Sequence, residues 1–310
     1  MRWCSFTTTT TADGHARLGA VRDREEGTRV LDVAAWARSR DAETPPDLVD
    51  LVEASPATQE RVTDLVRSAP EDGVGWIRVD EISYLPPIRT PNSLRDFLAF
   101  QDHVEGGAAR RGRRVPEAWN RIPVYYKGNR RSIIGPDDEV LWPTYTDQLD
   151  YECEVAAVVG RGGRDVPVEE AGAYVFGYTI MNDWSARDIQ KDEMSCWLGP
   201  AKAKDFATTL GPWVVTPDEW SPEADHVMTV TVDGEEWSRG STAGRRWTFD
   251  EMLAWVSRDE DVWPTDVLGS GTFGGGCGLD VDRWIAPGQL VTLTVEGLGV
   301  VSNTVGPRRS

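Results

Sequence analysis

Residues 149–160 read LDYECEVAAVVG, and two glutamates two positions apart lead into a run that otherwise looks buried. Successive side chains of a β-strand point to opposite faces, so Glu152 and Glu154 share one face while Tyr151, Cys153 and Val155 share the other. At strand rise their Cα atoms stand roughly 6.5–7 Å apart, and the continuation VAAVVG is typical of a strand covered on both sides. Like charges so placed repel. Either the strand end meets water or a cation sits between them. A third acidic position follows in GYTIMNDWSARDIQKDE, residues 177–193, where a strand YTIM runs into Asn182 and Asp183. Ser185 and Asp188 have the spacing of a capping box that opens a helix, with Arg187, Gln190 and Lys191 on one side of its first turns. In NSLRDFLAFQDHV, residues 92–104, Ser93 reads as the N-cap of a helix with Leu94, Phe97, Leu98 and Gln101 on one stripe. Asp96, Phe100 and His103 then fall on a second face, a carboxylate and an imidazole roughly 10 Å apart along the axis. Asp96, Glu152, Glu154 and Asp183, in a chain with only three histidines, describe an all-oxygen site. It suits hard Mg²⁺, Mn²⁺ or Ca²⁺ and not Zn²⁺. Such an ion would neutralise carboxylates that otherwise destabilise each other.

The elements that must position these groups are mostly strands. Residues 1–85 alternate short strand-like pieces (ARLGAV, TRVLDV, GWIRVD) with amphipathic helical ones (PDLVDLVEA, TQERVTDLVRSA). They read as a small α+β N-terminal domain. The proline-rich YLPPIRTP, residues 84–91, marks the boundary to a second domain at 86–310. Beyond residue 120 strand signals dominate, ending in QLVTLTVEGLGVVSNTV, where Gly-Leu-Gly joins a hairpin. The expected class is α+β, mostly β, with short helices and no alternating doubly wound sheet. GSGTFG at 269–274 matches the dinucleotide fingerprint G-x-G-x-x-G, but the GGCGLDVDRWIAPGQ after it supplies no helix for a pyrophosphate. That glycine-dense loop either lets backbone approach a ligand or simply turns tightly.

Composition narrows the partners. The chain has 310 residues and a formal charge of -18, which argues against nucleic acid or an anionic membrane surface. RRGRR at 110–114 reads as a solvated loop. Cys4, Cys153, Cys196 and Cys277 lack zinc or C-x-x-C spacing, as expected of reduced thiols in a cytoplasmic protein. No stretch suggests a signal peptide or a membrane span. The only low-complexity tract is the five-threonine run at 7–11.

Four blocks in order, RDFLAFQDH, LDYECEVAAVVGR, FGYTIMNDWSARDIQKDE and LGPAKAKDFATTLGPWVV, closely resemble the fumarylacetoacetate hydrolase family over roughly residues 85–310. The resemblance implies a mixed β-sandwich roll, usually a homodimer, whose members cleave or rearrange 1,3-dicarbonyl and 2-oxo acid substrates on a divalent metal. It implies metal ligation by Glu152, Glu154 and Asp183, with Asp96 as fourth carboxylate, and His103 as general base. Lys204, Arg187 and Gln190 stand where the family holds substrate oxygens, Tyr126 near a substrate-contacting tyrosine, and Thr272 at a carboxylate-binding threonine. Asp280 is the counterpart of a base-orienting glutamate. Leu98 replaces a family tyrosine, residues 104–119 do not match fumarylacetoacetase, and the loop before Asp280 is shorter. These departures point to a substrate other than fumarylacetoacetate. Three activities are consistent with the pattern: a metal-dependent C–C hydrolase using His103, a decarboxylase or tautomerase of a 2-oxo acid on the same metal, or a catalytically silent metal-binding protein.

Overall fold

A computed structural model of the chain describes residues 1–8 and 15–308; most of the threonine run lies outside the described residues. The chain begins with a meander, β1 (Arg2–Thr8), β2 (Arg17–Arg22) and β3 (Arg29–Asp32), followed by helices α1 (Val33–Arg38), α2 (Leu48–Glu53) and α3 (Pro56–Arg67). Each helix starts at a side-chain cap: Asp32, Asp47 and Ser55 accept from the backbone N–H three residues on. β4 (Trp76–Arg78) and β5 (Ile82–Leu85) close this part. Then come β6 (Leu94–Phe97), α4 (Gln101–Arg110), β7 (Tyr125–Lys127), β8 (Ile133–Ile134), β9 (Leu149–Asp150) and β10 (Cys153–Val159). After α5 (Val168–Ala171) run β11 (Val175–Asn182), β12 (Ser185–Ala186), α6 (Arg187–Ser195) and β13 (Thr208–Val215). The rest is β14 (Val227–Val232), β15 (Glu235–Ser241), α7 (Phe249–Val256), β16 (Val267–Gly269), α8 (Gly278–Val281), β17 (Leu290–Val295) and β18 (Gly299–Thr304).

The architecture is mostly sheet, as the sequence predicts. One large sheet has the order β4-β3-β2-β1-β13-β11-β10-β16-β6-β7, with β5 against β1 and β8 against β13. A second sheet, β15-β14-β17-β18, contains the expected Gly-Leu-Gly hairpin. The period-two alternation of β10 feeds two cores. Cys153, Val155, Ala157 and Val159 pack into the cluster shared with Val230 and Leu293 of the second sheet. Ala156 and Val158 pack on the other face, in the cluster that holds Leu31, Trp36 and Leu51 from the first part of the chain. Glu152 and Glu154 continue that second face beyond its apolar stretch. An interior strand thus ends in two buried carboxylates.

Two local expectations fail. Residues 94–97 are not the first turn of a helix but the interior strand β6, parallel to β16 and antiparallel to β7; the helix starts at Gln101. All four residues of β6 are buried, and a buried strand that short has no periodicity to separate it from a helical turn. The Ser185–Asp188 capping box also does not form. Ser185 is held in register with Asp150 in the β12–β9 pair, so its hydroxyl donates to the Asp183 carbonyl. Asp188 instead accepts from the Thr146 hydroxyl and Asp147 N–H.

Candidate metal centre

Strand register assembles the acids. Asp96 on β6 lies beside Gly269 of β16 and opposite Tyr126 of β7. Gly269 in turn pairs with Ala156, two residues beyond Glu154 on the same face of β10. Asp183 follows the last residue of β11, whose Asn182 pairs with Cys153. Carboxylate oxygens of Asp96, Glu152, Glu154 and Asp183 consequently lie within 4.8 Å of one another, all four residues buried. Gly271 closes the cluster. Its N–H donates at 3.1 Å both to Asp96 Oδ1 and to Glu154 Oε2. Its φ is +75°, and a Cβ there would stand 2.4 Å from the Phe97 carbonyl oxygen, so only glycine brings the amide this close. The G-x-G-x-x-G decoy is therefore a backbone clamp on carboxylates.

The cations are fewer than the anions. Lys204, 3% exposed, donates to Glu152 Oε2 at 2.7 Å and to Asp183 Oδ2 at 2.5 Å. Tyr126 donates to Asp183 Oδ1 at 2.8 Å. Arg187 donates from Nε to Asp150 at 2.7 Å and from Nη1 to Gln190 Oε1 at 2.9 Å. Its Nη2 stands 2.8 Å from Glu152 Oε1, an ion-pair contact at an angle that makes no hydrogen bond. It does not pair with Asp183, four residues earlier.

Protonation follows from this imbalance. Burial would raise Glu152, but the charges of Lys204, Arg187 and His103 hold it down at about 2. Burial and the Asp183 charge push Asp96 well above the usual carboxylate range; burial and the Asp96 charge do the same to Glu154. Asp183 is raised by burial against the pull of Lys204. Burial would lower Lys204, yet Asp183 and Glu152 keep it above its ordinary value. Protein cations thus satisfy one carboxylate fully and leave the others short of positive charge. Glu154 Oε1 has no hydrogen-bond partner at all although it is buried. A compact, oxygen-only cluster with an orphaned carboxylate oxygen fits a hard divalent cation.

Beside it stands the second cluster. His103 Nδ1 lies 2.7 Å from Asp280 Oδ2, joining α4 to α8 across 177 residues of sequence. Asp280 also accepts from Gly275 N–H at 3.0 Å, and its other oxygen pairs with Arg110. Burial would raise Asp280, but His103, the Gly275 amide and Arg110 hold it well below the usual range. Thr272 is placed differently from a free ligand: its hydroxyl donates to the Cys153 carbonyl at 2.9 Å. Leu98 is half-buried.

Sequence reasoning missed two residues. Arg110 was read with a solvated loop, yet it sits on the last turn of α4, two turns beyond His103. Asp150, 1% exposed, lies under Arg187 and is raised by burial against that arginine's charge. The signal was available, since Asp150, Glu152 and Glu154 alternate along one stretch. Residues 93–306 match the family described as fumarylacetoacetate (FAA) hydrolase C-terminal. The chain belongs to that family. An uncharacterized protein of Staphylococcus haemolyticus is 30% identical over 80% of each chain. The fumarylacetoacetate hydrolase of psychrophilic Exiguobacterium antarcticum shares 26% identity and a TM-score of 0.75 over 99% of this chain and 100% of that one. The fold, at 20% identity, is also that of maleylpyruvate hydrolase from Sphingobium sp. SYK-6, solved with manganese (II) ion and pyruvate (TM-score 0.73, all of both chains). Similar structures of this family fold include both hydrolases and isomerases.

Proposed function

We propose that this FAA hydrolase family protein is a divalent-metal-dependent hydrolase. It would cleave a carbon–carbon bond in a 1,3-dicarbonyl or 2-oxo acid of the acylpyruvate or fumarylacetoacetate-like type. The observation that carries the reading is the His103–Asp280 pair at 2.7 Å next to the buried carboxylates. A site that only binds metal has no use for an imidazole held this way. Asp96, Glu152, Glu154 and Asp183 would hold Mg²⁺ or Mn²⁺, the latter being the ion bound by the Sphingobium enzyme. When bound, the ion supplies Lewis acidity that favours negative charge on a substrate carbonyl oxygen.

The protein groups do the rest. With Nδ1 turned to Asp280, His103 is left with Nε2 to take a proton from water. Asp280, kept anionic by His103, Gly275 and Arg110, fixes the tautomer and stabilises the imidazolium that forms. Hydroxide adds to the acyl carbon as the carbon–carbon bond breaks, and the imidazolium returns its proton to the departing carbanion. Lys204 lends positive charge to the developing enolate. Arg187, braced by Gln190, offers its guanidinium to a substrate carboxylate; the resemblance assigns substrate contacts to Tyr126, which donates to Asp183, and to Thr272, whose hydroxyl is here given to the Cys153 carbonyl. We propose that the enzyme works as a cytoplasmic homodimer, checked by sedimentation at micromolar concentration.

The test is a screen of acylpyruvates, fumarylacetoacetate-like diketo acids and oxaloacetate with Mg²⁺ or Mn²⁺, following loss of enol absorbance and identifying products. His103→Ala is expected to lose about 10²–10⁴ in hydrolysis with cation binding unaltered. Because isomerases share the fold, wild-type turnover in His103→Ala would move the decarboxylase or tautomerase reading ahead. Absence of turnover on every substrate would favour the silent metal-binding protein.

A further inference from the structure

We infer that Asp150 is a positioning residue that couples the two halves of the site, the arginine half and the imidazole half. The kinetic part of the argument rests on the proposed hydrolase reading; the structural part does not. Asp150 ends β9, two residues before the acidic pair, and is almost wholly buried. Each of its oxygens accepts two bonds. Oδ2 takes Arg187 Nε at 2.7 Å and Leu279 N–H at 3.1 Å. Oδ1 takes Gly278 N–H at 2.8 Å and Tyr151 N–H at 2.9 Å.

Through Arg187 the carboxylate reaches Gln190 and Glu152. Through Gly278 and Leu279 it reaches the single turn of α8, whose next residue is Asp280, the partner of His103. Among the described residues Asp150 is the one side chain that hydrogen-bonds both Arg187 and α8, beside the backbone pairing of Glu152 with Cys277 that leads into that turn. The contact is closed to substitution on its far side as well. A Cβ on Gly278 would stand 2.5 Å from Asp150 Oδ1 and 2.3 Å from the Arg283 carbonyl oxygen. An amide cannot replace the carboxylate, because all four partners are donors and asparagine would turn an NH₂ toward two of them. Arg187 would then lose its anchor, and α8 would lose the group that holds its first turn.

The experiment uses full-length Asp150→Asn. The chain contains three histidines, His15, His103 and His226, so imidazole NMR signals are assignable with His103→Ala as reference. The folded variant is expected to shift the His103 signals while those of His15 and His226 stay in place. With the best substrate and saturating Mg²⁺, KM is expected to rise and kcat to fall together, lowering kcat/KM about 10–100-fold, the range for loss of a group that orients a site residue. A residue serving Arg187 alone would move KM and not the His103 signals. One that only supports the fold would reduce the amount of folded protein and move neither. Folded Asp150→Asn with unmoved His103 signals therefore overturns the proposal. If that variant does not fold, Gly278→Ala presses the same contact from the other side and carries the same expectations. Failure of both to fold would assign the contact to stability alone and overturn the proposal equally. If no substrate turns over, the hydrolase reading fails, and the NMR comparison still decides the role of Asp150.

Discussion

At the residue scale the centre is a balance of buried charge. Glu154 carries an orphaned oxygen against three other acids, and burial plus the Asp96 charge favour its protonated form. Glu154→Gln keeps the volume and replaces a carboxyl that burial and Asp96 already drive toward the neutral form with a permanently neutral amide. It is expected to leave stability in chelator within about 1 kcal/mol of wild type or to raise it. Wild type should gain about 2.7 kcal/mol from Mg²⁺ or Mn²⁺ at a hundred times Kd, and the variant should lose most of that gain. Melting with and without the ion reads both effects; equal gains in the two proteins would remove Glu154 from the ligand set. Asp280 gives a pH dependence of known sign. Its folded pKa lies below the unfolded value, near 3.9 for an aspartate. The stability it contributes is thus fully present above that value and is lost as pH falls toward the folded pKa. The gap between wild type and Asp280→Asn in urea melts should be constant between pH 6 and 8 by this argument and shrink below about pH 4. A gap that widens in acid would contradict the pairing with His103 and Arg110.

At the element scale a few backbone positions decide whether the acids meet. Gly271 combines a left-handed φ with an amide shared between Asp96 and Glu154. Gly271→Ala would place a Cβ against the Phe97 carbonyl and force a non-glycine residue to φ > 0, at a cost of about 1–3 kcal/mol. Reduced stability together with weakened cation binding by calorimetry is the expected result. Lost stability with unaltered binding would mean that the loop is only a turn. The same scale explains the two misread segments. Asp96 reaches the cluster because β6 inserts between β16 and β7, and Arg187 starts α6 directly after the β12–β9 pair places it over Asp150. Both outcomes depend on partners distant in sequence, which local helix signals do not register.

At the scale of the whole molecule, the division near residue 85 remains a proposal about sequence organisation, and every residue of the candidate site lies beyond it. The large sheet nevertheless runs through both parts: Arg2 and Trp3 of β1 pair with Val215 and Val214 of β13. The core that holds Met181, Leu210 and Val214 also holds Trp3, Leu18 and Trp36. A fragment beginning at residue 86 would uncover these side chains, each worth about 1.5–3 kcal/mol when buried, and strip β13 of its β1 neighbour, leaving that edge open. It is expected to be unfolded or aggregated, as judged by circular dichroism and limited proteolysis. A monodisperse, cation-binding fragment would show that residues 86–310 fold alone. No helix among the described residues is long and apolar enough to cross a membrane.

What the sequence determined by itself was the chemistry on offer. Alternation in a single strand is enough to put Glu152 and Glu154 on one face, a strand end suffices to present Asp183, and the scarcity of histidine and spaced thiols restricts any ion such a cluster could hold to a hard one. The same alternation contained Asp150, and a reading that stopped at the E-x-E pair passed over it. Tertiary structure decided which groups share a space. His103 and Asp280 are separated by 177 residues, Asp96 and Gly271 by 175, and Arg187, four residues after Asp183, is drawn instead to Asp150. These choices are made by sheet register and by the burial of charge, both of which depend on long-range packing. Periodicity reports which face a side chain occupies; only the packed chain fixes what stands opposite.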